Sequence, residues 1–207
     1  AGEMVNRLTT NYTYFMREPK HFDFLREKIL PNIKPEWGRI SYQIWCAGCS
    51  SGEECYTLAM LLQDYKDQGG WLPSFSIVGT DISEQALAVA QKGRYPVREL
   101  ENIPALWQQK YLSMDEAGTS FDIGRAIREK VRFQRMNLLK PSVGLGQYDL
   151  VLCRNVMIYF NEESRKKLIE KLYRALKPGG YLFVGHTELL PRNHELFEYV
   201  CPAVYRK

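Results

Sequence analysis

The sequence lacks the features that mark membrane-spanning, secreted and disordered chains. No apolar run among its 207 residues approaches the roughly 18 to 20 that a membrane span requires, and the first residues contain no apolar signal-peptide core. No low-complexity tract or fixed-period repeat is present, and apolar residues make up 45% of the chain. These absences predict one compact cytoplasmic protein without membrane insertion.

Cysteine and histidine are too few and too irregularly spaced for a disulfide framework or a zinc site. The five cysteines are an odd number, and two of them lie inside predicted buried strands, so free thiols are expected. Cys46 and Cys49 form a CxxC pair, but a redox pair normally opens a helix, whereas Cys46 sits in an apolar run. Zinc would also need ligands from only three scattered histidines, so we expect no metal.

A strong charge of either sign is also missing. The net charge is +4, and the lysines and arginines are spread along the chain instead of forming a basic stripe interleaved with aromatic residues. The sequence therefore predicts a solvated surface and no nucleic-acid partner. Nothing in it signals an oligomer, and a monomer is the default expectation.

From residue 40 onward, short apolar runs alternate with longer amphipathic stretches. The predicted strands are residues 42–48, 75–81, 131–137, 148–155 and 180–186. The predicted helices are residues 53–66, 83–93 and 162–180, preceded by one at 22–33, with Ser83 and Asn161 as N-caps and Gly93 and Pro178-Gly179-Gly180 as stops. Because nearly continuous apolar strands alternate with helices, we predict an α/β fold with a doubly wound, mostly parallel, Rossmann-like sheet covered on both faces.

Residues 94–130 are longer than one crossover helix requires. The stretch YLSMDEAGTSFDIGRAI predicts a hairpin that turns at Ala117-Gly118, preceded by a helix around Pro104 to Tyr111. We therefore expect a small inserted antiparallel β subdomain. Insertions on such loops often contact partners, although a merely tolerated insertion accounts for the pattern equally well.

The stretch WCAGCSSGEECYTLAM, residues 45–60, predicts a strand, a glycine loop and a helix. A P-loop would need Gly-Lys-Ser/Thr, but here Gly52 is followed by Glu53 and Glu54. A dinucleotide loop would have a glycine in place of Ala47, and carboxylates at the helix start would repel a pyrophosphate. They suit a ligand with a sulfonium and an amino group, such as S-adenosylmethionine (SAM). We place this cofactor on the loop, with Ala47, Gly48, Glu53 and Glu54 as predicted contacts.

Polar residues end the later strands, at the edge where ligands of open α/β sheets bind. Asp81 ends the second strand, where a carboxylate can accept hydrogen bonds from two ribose hydroxyls, or can cap the following helix. Asn137 and Leu138 end the third and offer an amide and an apolar face for adenine. Asn155 lies in an apolar run, where burying an amide is unfavourable unless it is paired, so it is either a ligand contact or a satisfied core amide.

Several motifs together make the chain resemble a known family over nearly its whole length. They are NYTYFMRE (11–18), HF (21–22), AGCSSGEE (47–54), GTDIS (79–83), the NL pair at 137–138, CRNVMIYF (153–160) and LKPGGYLFVGHTE (176–188). In this combination they resemble the chemotaxis receptor glutamate methyltransferases, the CheR family. The resemblance implies a class I SAM-dependent methyltransferase domain at 37–207 with its β subdomain at about 94–130, preceded by a linker and helix at 1–36 that contribute to the pocket.

The family implies methyl transfer from SAM to glutamate side chains of membrane chemoreceptors, giving S-adenosylhomocysteine and methyl esters that tune chemotaxis adaptation. The cofactor contacts that it implies fall on Asn11, Thr13, Arg17, Glu54 with Glu53, Asp81, Asn137, Leu138, Arg154 and Asn155. Tyr159 matches the tyrosine beside the transferring methyl, and Arg17 is the residue assigned to orientation. The β subdomain is expected to help docking on the receptor. Family members usually carry a helical domain ahead of this point, and the resemblance begins at the segment after it.

Two other functions stay open from the residues. One is a SAM-dependent methyltransferase that acts on a small molecule or on nitrogen, and the other is a signalling module that binds SAM without turnover. A glutamate acceptor is already ionised at neutral pH, since its reference pKa is near 4.3, so no general base is required. We therefore expect His21 to pack or cap and His186 at most to shape the pocket.

Overall fold

The structure of this chain is a computed structural model that describes residues 12–35, 41–140 and 146–207. The predicted contact Asn11 and the predicted domain boundary at 36/37 lie outside these residues. The strands are β1 Ser41–Ala47, β2 Ser74–Asp81, β3 Arg94–Pro96, β4 Leu112–Met114, β5 Ser120–Ile123, β6 Val131–Arg135, β7 Tyr148–Cys153, β8 Leu176–Val184, β9 Glu198–Cys201 and β10 Val204–Arg206. The α-helices are α1 Lys20–Phe24, α2 Glu53–Asp67, α3 Glu84–Lys92, α4 Ala105–Tyr111, α5 Arg125–Arg128 and α6 Glu162–Ala175.

Seven strands form the main sheet in the order β6-β2-β1-β7-β8-β10-β9. β1 pairs in parallel with β2 on one side and with β7 on the other. Among the described pairs of this seven-stranded sheet, only the two that involve β10 are antiparallel. The predicted doubly wound, mostly parallel sheet is confirmed. The strand order reverses between β1 and β7, which is the point at which open α/β sheets bind ligands.

Alternate residues of β1 enter two hydrophobic clusters, one on each face of the sheet. Ile44 and Cys46 pack on the side of α2, whereas Trp45 and Ala47 pack on the side of α6. Because successive side chains of a strand point to opposite faces, a stretch of strand buried on both faces must be apolar at every position, as β1 is from Ile44 to Ala47.

The helix predicted at 22–33 is present but changes its winding. After α1 it continues as a π-helical turn over Leu25–Ile29 and ends as a 3-10 turn over Leu30–Asn32. Its inward side chains, including those of Phe22, Leu25 and Leu30, are buried in the cluster on the α2 side of the sheet. The segment therefore packs against the sheet domain.

The predicted helix ends are confirmed at three positions. The side chain of Ser83 accepts a hydrogen bond from the Ala86 amide at 3.2 Å, and that of Asn161 accepts one from the Ser164 amide at 2.9 Å. Gly93 ends α3 with a positive φ of 63°, a conformation that glycine adopts without strain. None of the helices in the described part of the chain is long and apolar enough to cross a membrane.

The predicted end of the last helix is wrong. We expected this helix to stop at Pro178-Gly179-Gly180, but α6 already ends at Ala175, and these three residues lie within β8. Pairing with distant chain decides this, because Leu176 lies beside Tyr148 and the amide of Lys207 donates to the Gly180 carbonyl at 2.9 Å. The strands β9 and β10 were not predicted from the sequence, and they are only four and three residues long.

The inserted unit is a three-stranded antiparallel sheet in the order β3-β5-β4 with α4 beside it, as predicted. The β4–β5 hairpin turns where Gly118, with a φ of 67°, donates its amide to the Asp115 carbonyl at 3.1 Å. Buried side chains of this unit, such as Tyr95 and Phe121, belong to the cluster on the α2 side of the main sheet. The insertion therefore shares a core with the domain that carries it.

Candidate active site

A cavity of about 490 Å³ opens at the carboxyl ends of β1, β2, β6 and β7. The predicted site residues that line it are Thr13, Arg17, Gly48, Glu54, Asp81, Asn137, Leu138, Arg154, Asn155 and Tyr159. These residues are far apart in the sequence, and they meet because parallel strands bring their carboxyl ends to one edge of the sheet.

Two predicted contacts do not line this cavity. Ala47 is buried in the cluster on the α6 side, and the side chain of Glu53 accepts hydrogen bonds from Ser51 Oγ at 2.8 Å. Burial raises the pKa of Glu53 to about 7, and the charge of Glu99 from the inserted unit adds to this effect. Position along the helix explains the difference, because side chains one residue apart point about 100° away from each other and only Glu54 faces the cavity.

The glycine loop, residues 48–52, is held against the end of β2. The amides of Gly48 and Cys49 both donate to the carbonyl of Thr80, at 2.8 and 2.9 Å. Gly48 has a φ of 80°, and a Cβ on it would lie 2.4 Å from Val156 Cγ2. Only glycine fits both the backbone conformation and the space, so the chain passes close to the cavity here.

Asp81 ties this loop to the start of α3. Its Oδ2 accepts from the Ser50 amide at 2.8 Å, and its Oδ1 accepts from the Ser83 amide at 2.9 Å. The N-cap hydrogen bond of α3 comes from Ser83 itself, so Asp81 is not the capping residue. Because each carboxylate oxygen has two acceptor sites, Asp81 keeps acceptor capacity toward the cavity that it lines.

Arg154 is the buried cation of the site. Its Nη2 donates to the Arg17 carbonyl, and its Nε lies 3.3 Å from Glu54 Oε2 and 3.6 Å from Glu18 Oε2. Burial raises the pKa of Glu54, while the charge of Arg154 opposes that rise. Within the described residues, Arg154 Nη1 is buried and has no hydrogen-bond partner, although the residue lines the cavity. A buried donor in this position fits an anionic oxygen of a ligand.

Glu188, which was not predicted as a site residue, is a carboxylate that shapes the loop after β7. It is 1% exposed and accepts hydrogen bonds from the amides of Asn155 at 2.5 Å, Gly185 at 3.0 Å and Ile158 at 3.1 Å. Asn155 has a left-handed φ of 60°, which Glu188 helps to maintain. The motif LKPGGYLFVGHTE contains Glu188, but nothing in its spacing indicates a contact with residues some 30 positions earlier.

Glu18 is the second carboxylate that the sequence analysis did not single out. Its Oε1 lies 3.4 Å from Asn155 Nδ2, and its Oε2 lies 3.5 Å from His21 Nδ1 and 3.6 Å from Arg154 Nε. Glu18 therefore joins the amino-terminal segment to the residues that end β7. Arg17 forms no ion pair with Glu18 among the described contacts, and its Nη1 donates to the Tyr12 carbonyl at 2.6 Å.

His21 is buried in a stack of rings behind the cavity. It is 1% exposed, and its ring centroid lies 5.1 Å from that of Phe183 and 5.2 Å from that of His186. Burial lowers the pKa of His21 to about 3, with further contributions from the charges of Arg154 and His186. The imidazole is neutral at physiological pH and packs in the interior.

Because His21 is buried in its neutral form, we expect the free energy of unfolding to decrease in acid. Because the folded-state pKa lies below the ordinary value of 6.5, the unfolded chain binds more protons between pH 6.5 and 3, so stability is lost as pH falls through that window. Relative to His21→Phe, the wild type should lose about 2 kcal/mol of unfolding free energy between about pH 7.5 and about pH 5. Urea unfolding of both proteins at the two pH values measures this.

The comparison with His21→Phe is needed because Glu53 acts in the opposite direction. Its raised pKa, about 7, means that the folded state binds more protons between pH 4.5 and 7, so Glu53 adds stability as pH falls. Both proteins contain Glu53, and its effect cancels in the difference. An unfolding free-energy difference independent of pH would show that His21 is not the group responsible.

A family model described as the SAM-binding domain of CheR methyltransferases matches residues 11–205. The chain belongs to the CheR methyltransferase family. It is 40% identical over 209 aligned residues to a chemotaxis protein methyltransferase of Borreliella burgdorferi, covering 99% of this chain and 73% of that protein. It is 33% identical to chemotaxis protein methyltransferase 1 of Pseudomonas aeruginosa, covering 98% and 76%. A solved SAM-dependent methyltransferase of Methanosarcina mazei is 22% identical, with a TM-score of 0.42 over 70% of this chain and 52% of that one.

As a CheR-family protein, the chain is a SAM-dependent methyltransferase, and SAM is its cofactor. The cavity residues fit this molecule on chemical grounds. The buried Nη1 of Arg154 suits a carboxylate, Glu54 suits an ammonium and a sulfonium, and Gly48 removes the Cβ that would obstruct the loop. The donors and acceptors therefore match the charges at the methionine end of SAM.

Proposed function

We propose that this CheR-family enzyme transfers the methyl group of SAM to glutamate side chains of membrane chemoreceptors in the cytoplasm, giving methyl esters. The observation that carries the proposal is the 40% identity to a chemotaxis protein methyltransferase over 99% of the chain. The cavity at the sheet's switch point supports it, because it brings acidic, basic and amide groups to one place.

The cofactor lies along the carboxyl edge of the sheet. Asp81 accepts hydrogen bonds from the ribose hydroxyls, since its carboxylate lines the cavity while it holds the loop. Arg154 binds the methionine carboxylate through Nη1. Glu54, whose Oε2 lies 3.3 Å from Arg154 Nε, faces the positively charged ammonium and sulfonium groups. The pair places opposite charges next to each other, as the zwitterionic end of the cofactor requires.

The remaining cavity residues hold the rest of the molecule. Asn137 and Leu138 contact the adenine, with the Asn137 Oδ1 also accepting from the Leu139 amide at 2.9 Å and so ordering its own loop. Thr13, on the amino-terminal segment, and Asn155, after β7, also line the cavity and contact the cofactor there. Leu138 is buried, so it offers an apolar surface to the base.

Catalysis depends on position more than on proton transfer. SAM supplies an electrophilic methyl group, and one bond forms to a carboxylate oxygen of the acceptor as the bond to sulfur breaks. The acceptor carboxylate is ionised near neutral pH, so no base has to remove a proton, and the neutral His21 lies in the interior. Holding the two groups in a reactive geometry lowers the barrier by roughly 7 to 11 kcal/mol relative to free encounter.

Two residues at the mouth of the cavity orient the acceptor. Arg17 lines the cavity, and its Nη1 bond to the Tyr12 carbonyl fixes the guanidinium while leaving other N–H groups for a carboxylate. Tyr159 lines the same cavity and is still 44% exposed, which places it at the opening. The inserted sheet helps to dock the receptor, and the enzyme acts as a monomer.

The product distinguishes this function from the alternatives. With radiolabelled SAM and membranes that contain chemoreceptors, the wild type should form a protein product that releases volatile methanol in mild alkali, because carboxyl methyl esters hydrolyse and N-methyl groups do not. Arg17→Ala should retain the fold but lose most of this activity, at least tenfold, as expected when an orienting charged hydrogen bond is removed.

Base-stable methylation would instead indicate a nitrogen acceptor. Saturable binding of S-adenosylhomocysteine without transfer to any acceptor would indicate a binding module. A folded Arg17→Ala protein with near-full activity would remove Arg17 from the orienting role and leave the rest of the proposal in place.

A further inference from the structure

The inserted sheet supports the amino-terminal wall of the cavity. The ring of Phe15 is fully buried, with its centroid 5.0 Å from that of Tyr95 on β3 and 5.9 Å from that of Phe121 on β5. Phe15 lies between Thr13 and Arg17, which both line the cavity. The inner face of the inserted sheet is therefore packed directly behind one wall of the cofactor cavity.

Tyr95 also reaches the glycine loop. It is 2% exposed, and its hydroxyl donates a hydrogen bond to the carbonyl of Ser51 at 2.7 Å. Ser51 follows the cavity-lining Ser50 and precedes Gly52, the N-cap residue of α2, which has a left-handed φ of 95°. The inserted unit thus makes a direct, buried hydrogen bond to the backbone of the loop.

The hydrogen bond from Tyr95 holds the second part of the glycine loop, which has no hydrogen bond to β2 in the described contacts. The amides of Gly48 and Cys49 are bound by the Thr80 carbonyl, and the amide of Ser50 is bound by Asp81. The Ser51 carbonyl depends instead on the insertion. Two left-handed glycines give this short loop many accessible conformations, so a single additional anchor restricts it substantially.

We infer that Tyr95 is a positioning residue that holds the glycine loop in its cofactor-binding conformation and so couples the inserted sheet to the cavity. The inference rests on the cofactor occupying this cavity. Without the hydroxyl, the Ser51 carbonyl loses its partner and the loop samples other conformations, and the cofactor must reorder it on binding.

Tyr111 supplies a matched control. Its hydroxyl donates to Asp67 Oδ2 at 2.6 Å, and this bond also attaches the inserted unit to α2, but at the carboxyl end of that helix, far from the glycine loop. Tyr95→Phe and Tyr111→Phe therefore each remove one hydroxyl that ties the insertion to the domain. Only the first removes a contact with the loop.

Calorimetric titration with S-adenosylhomocysteine and amide hydrogen exchange test the inference. We expect Tyr95→Phe to weaken binding roughly three- to tenfold, the range for one lost hydrogen bond, and Tyr111→Phe to weaken it less than twofold. Amides of residues 49–54 should exchange faster in Tyr95→Phe than in the wild type or Tyr111→Phe. The KM for SAM should rise in Tyr95→Phe with kcat little changed.

Unchanged binding and loop exchange in Tyr95→Phe would overturn the inference, as would equal weakening by both variants, which would reflect general destabilisation. Failure of the wild type to bind S-adenosylhomocysteine would instead contradict the cofactor placement. In that case, loop exchange by itself decides whether Tyr95 holds the loop, because it requires no ligand.

Discussion

Replacing Glu188 by alanine is expected to destabilise the protein by at least about 3 kcal/mol and to abolish methyl transfer. The Glu188 carboxylate accepts hydrogen bonds from the amides of Asn155, Gly185 and Ile158. Glu188 itself is only 1% exposed. Alanine would leave each donor without its partner in the interior, at about 1 to 3 kcal/mol per group. This exceeds the effect of most single substitutions.

The loss of activity follows from the conformation of the loop after β7. Asn155 adopts its φ of 60° while its amide is bound by Glu188, and the turn that follows contains Ile158 and Tyr159 at the mouth of the cavity. Without the carboxylate, this turn would relax, and Ile158 and Tyr159 would move away from their positions in the cavity wall. Urea unfolding and the methylation assay measure the two effects separately.

Glu195→Ala is the matched control for this experiment, because Glu195 is an exposed glutamate a few residues along the same chain segment. Its removal should change the unfolding free energy by less than about 0.5 kcal/mol. Glu188→Gln should fall between the two, since the amide keeps one acceptor oxygen but presents its own N–H groups to the donors. A Glu188→Ala protein within about 1 kcal/mol of the wild type would contradict the role of Glu188.

The second large effect is expected from Asp81→Ala, which should weaken binding of S-adenosylhomocysteine at least tenfold, equivalent to about 1.4 kcal/mol. The substitution removes the acceptors for the Ser50 and Ser83 amides and the oxygens that face the cavity. The loop and the ribose site are therefore lost together. Isothermal titration calorimetry measures the affinity directly.

Ser83→Ala separates helix capping from ligand binding. Ser83 supplies the N-cap hydrogen bond of α3, so its substitution should reduce stability by roughly 0.5 to 2 kcal/mol and leave the affinity nearly unchanged. If Ser83→Ala weakened binding as much as Asp81→Ala, the effect of Asp81 would be assigned to the start of α3. Asp81→Asn, which keeps one acceptor oxygen, should bind more tightly than the alanine variant.

Some features of this protein follow from local sequence patterns, and others depend on contacts between distant parts of the chain. The order of strands and helices follows from local periodicity, and the convergence of Asp81, Asn137 and Asn155 follows from it, because parallel strands end at one edge. The end of α6 was predicted wrongly because it depends on contacts with residues that are distant in the sequence. The Pro-Gly-Gly stretch reads locally as a stop, but pairing with Tyr148 and the last residues of the chain extends β8 through it.

The sequence by itself determined the doubly wound sheet, the glycine loop, the inserted hairpin and the type of cofactor, since each depends on residues close together in the chain or on the regular geometry of strands. Tertiary structure alone decided which glutamate of the pair faces the cavity, that Glu18 and Glu188 support Asn155, and that Tyr95 anchors the loop. These contacts join residues from 33 to 137 positions apart. The spacing of residues in the sequence does not show which of these side chains are in contact, because only the folding of the chain brings them together.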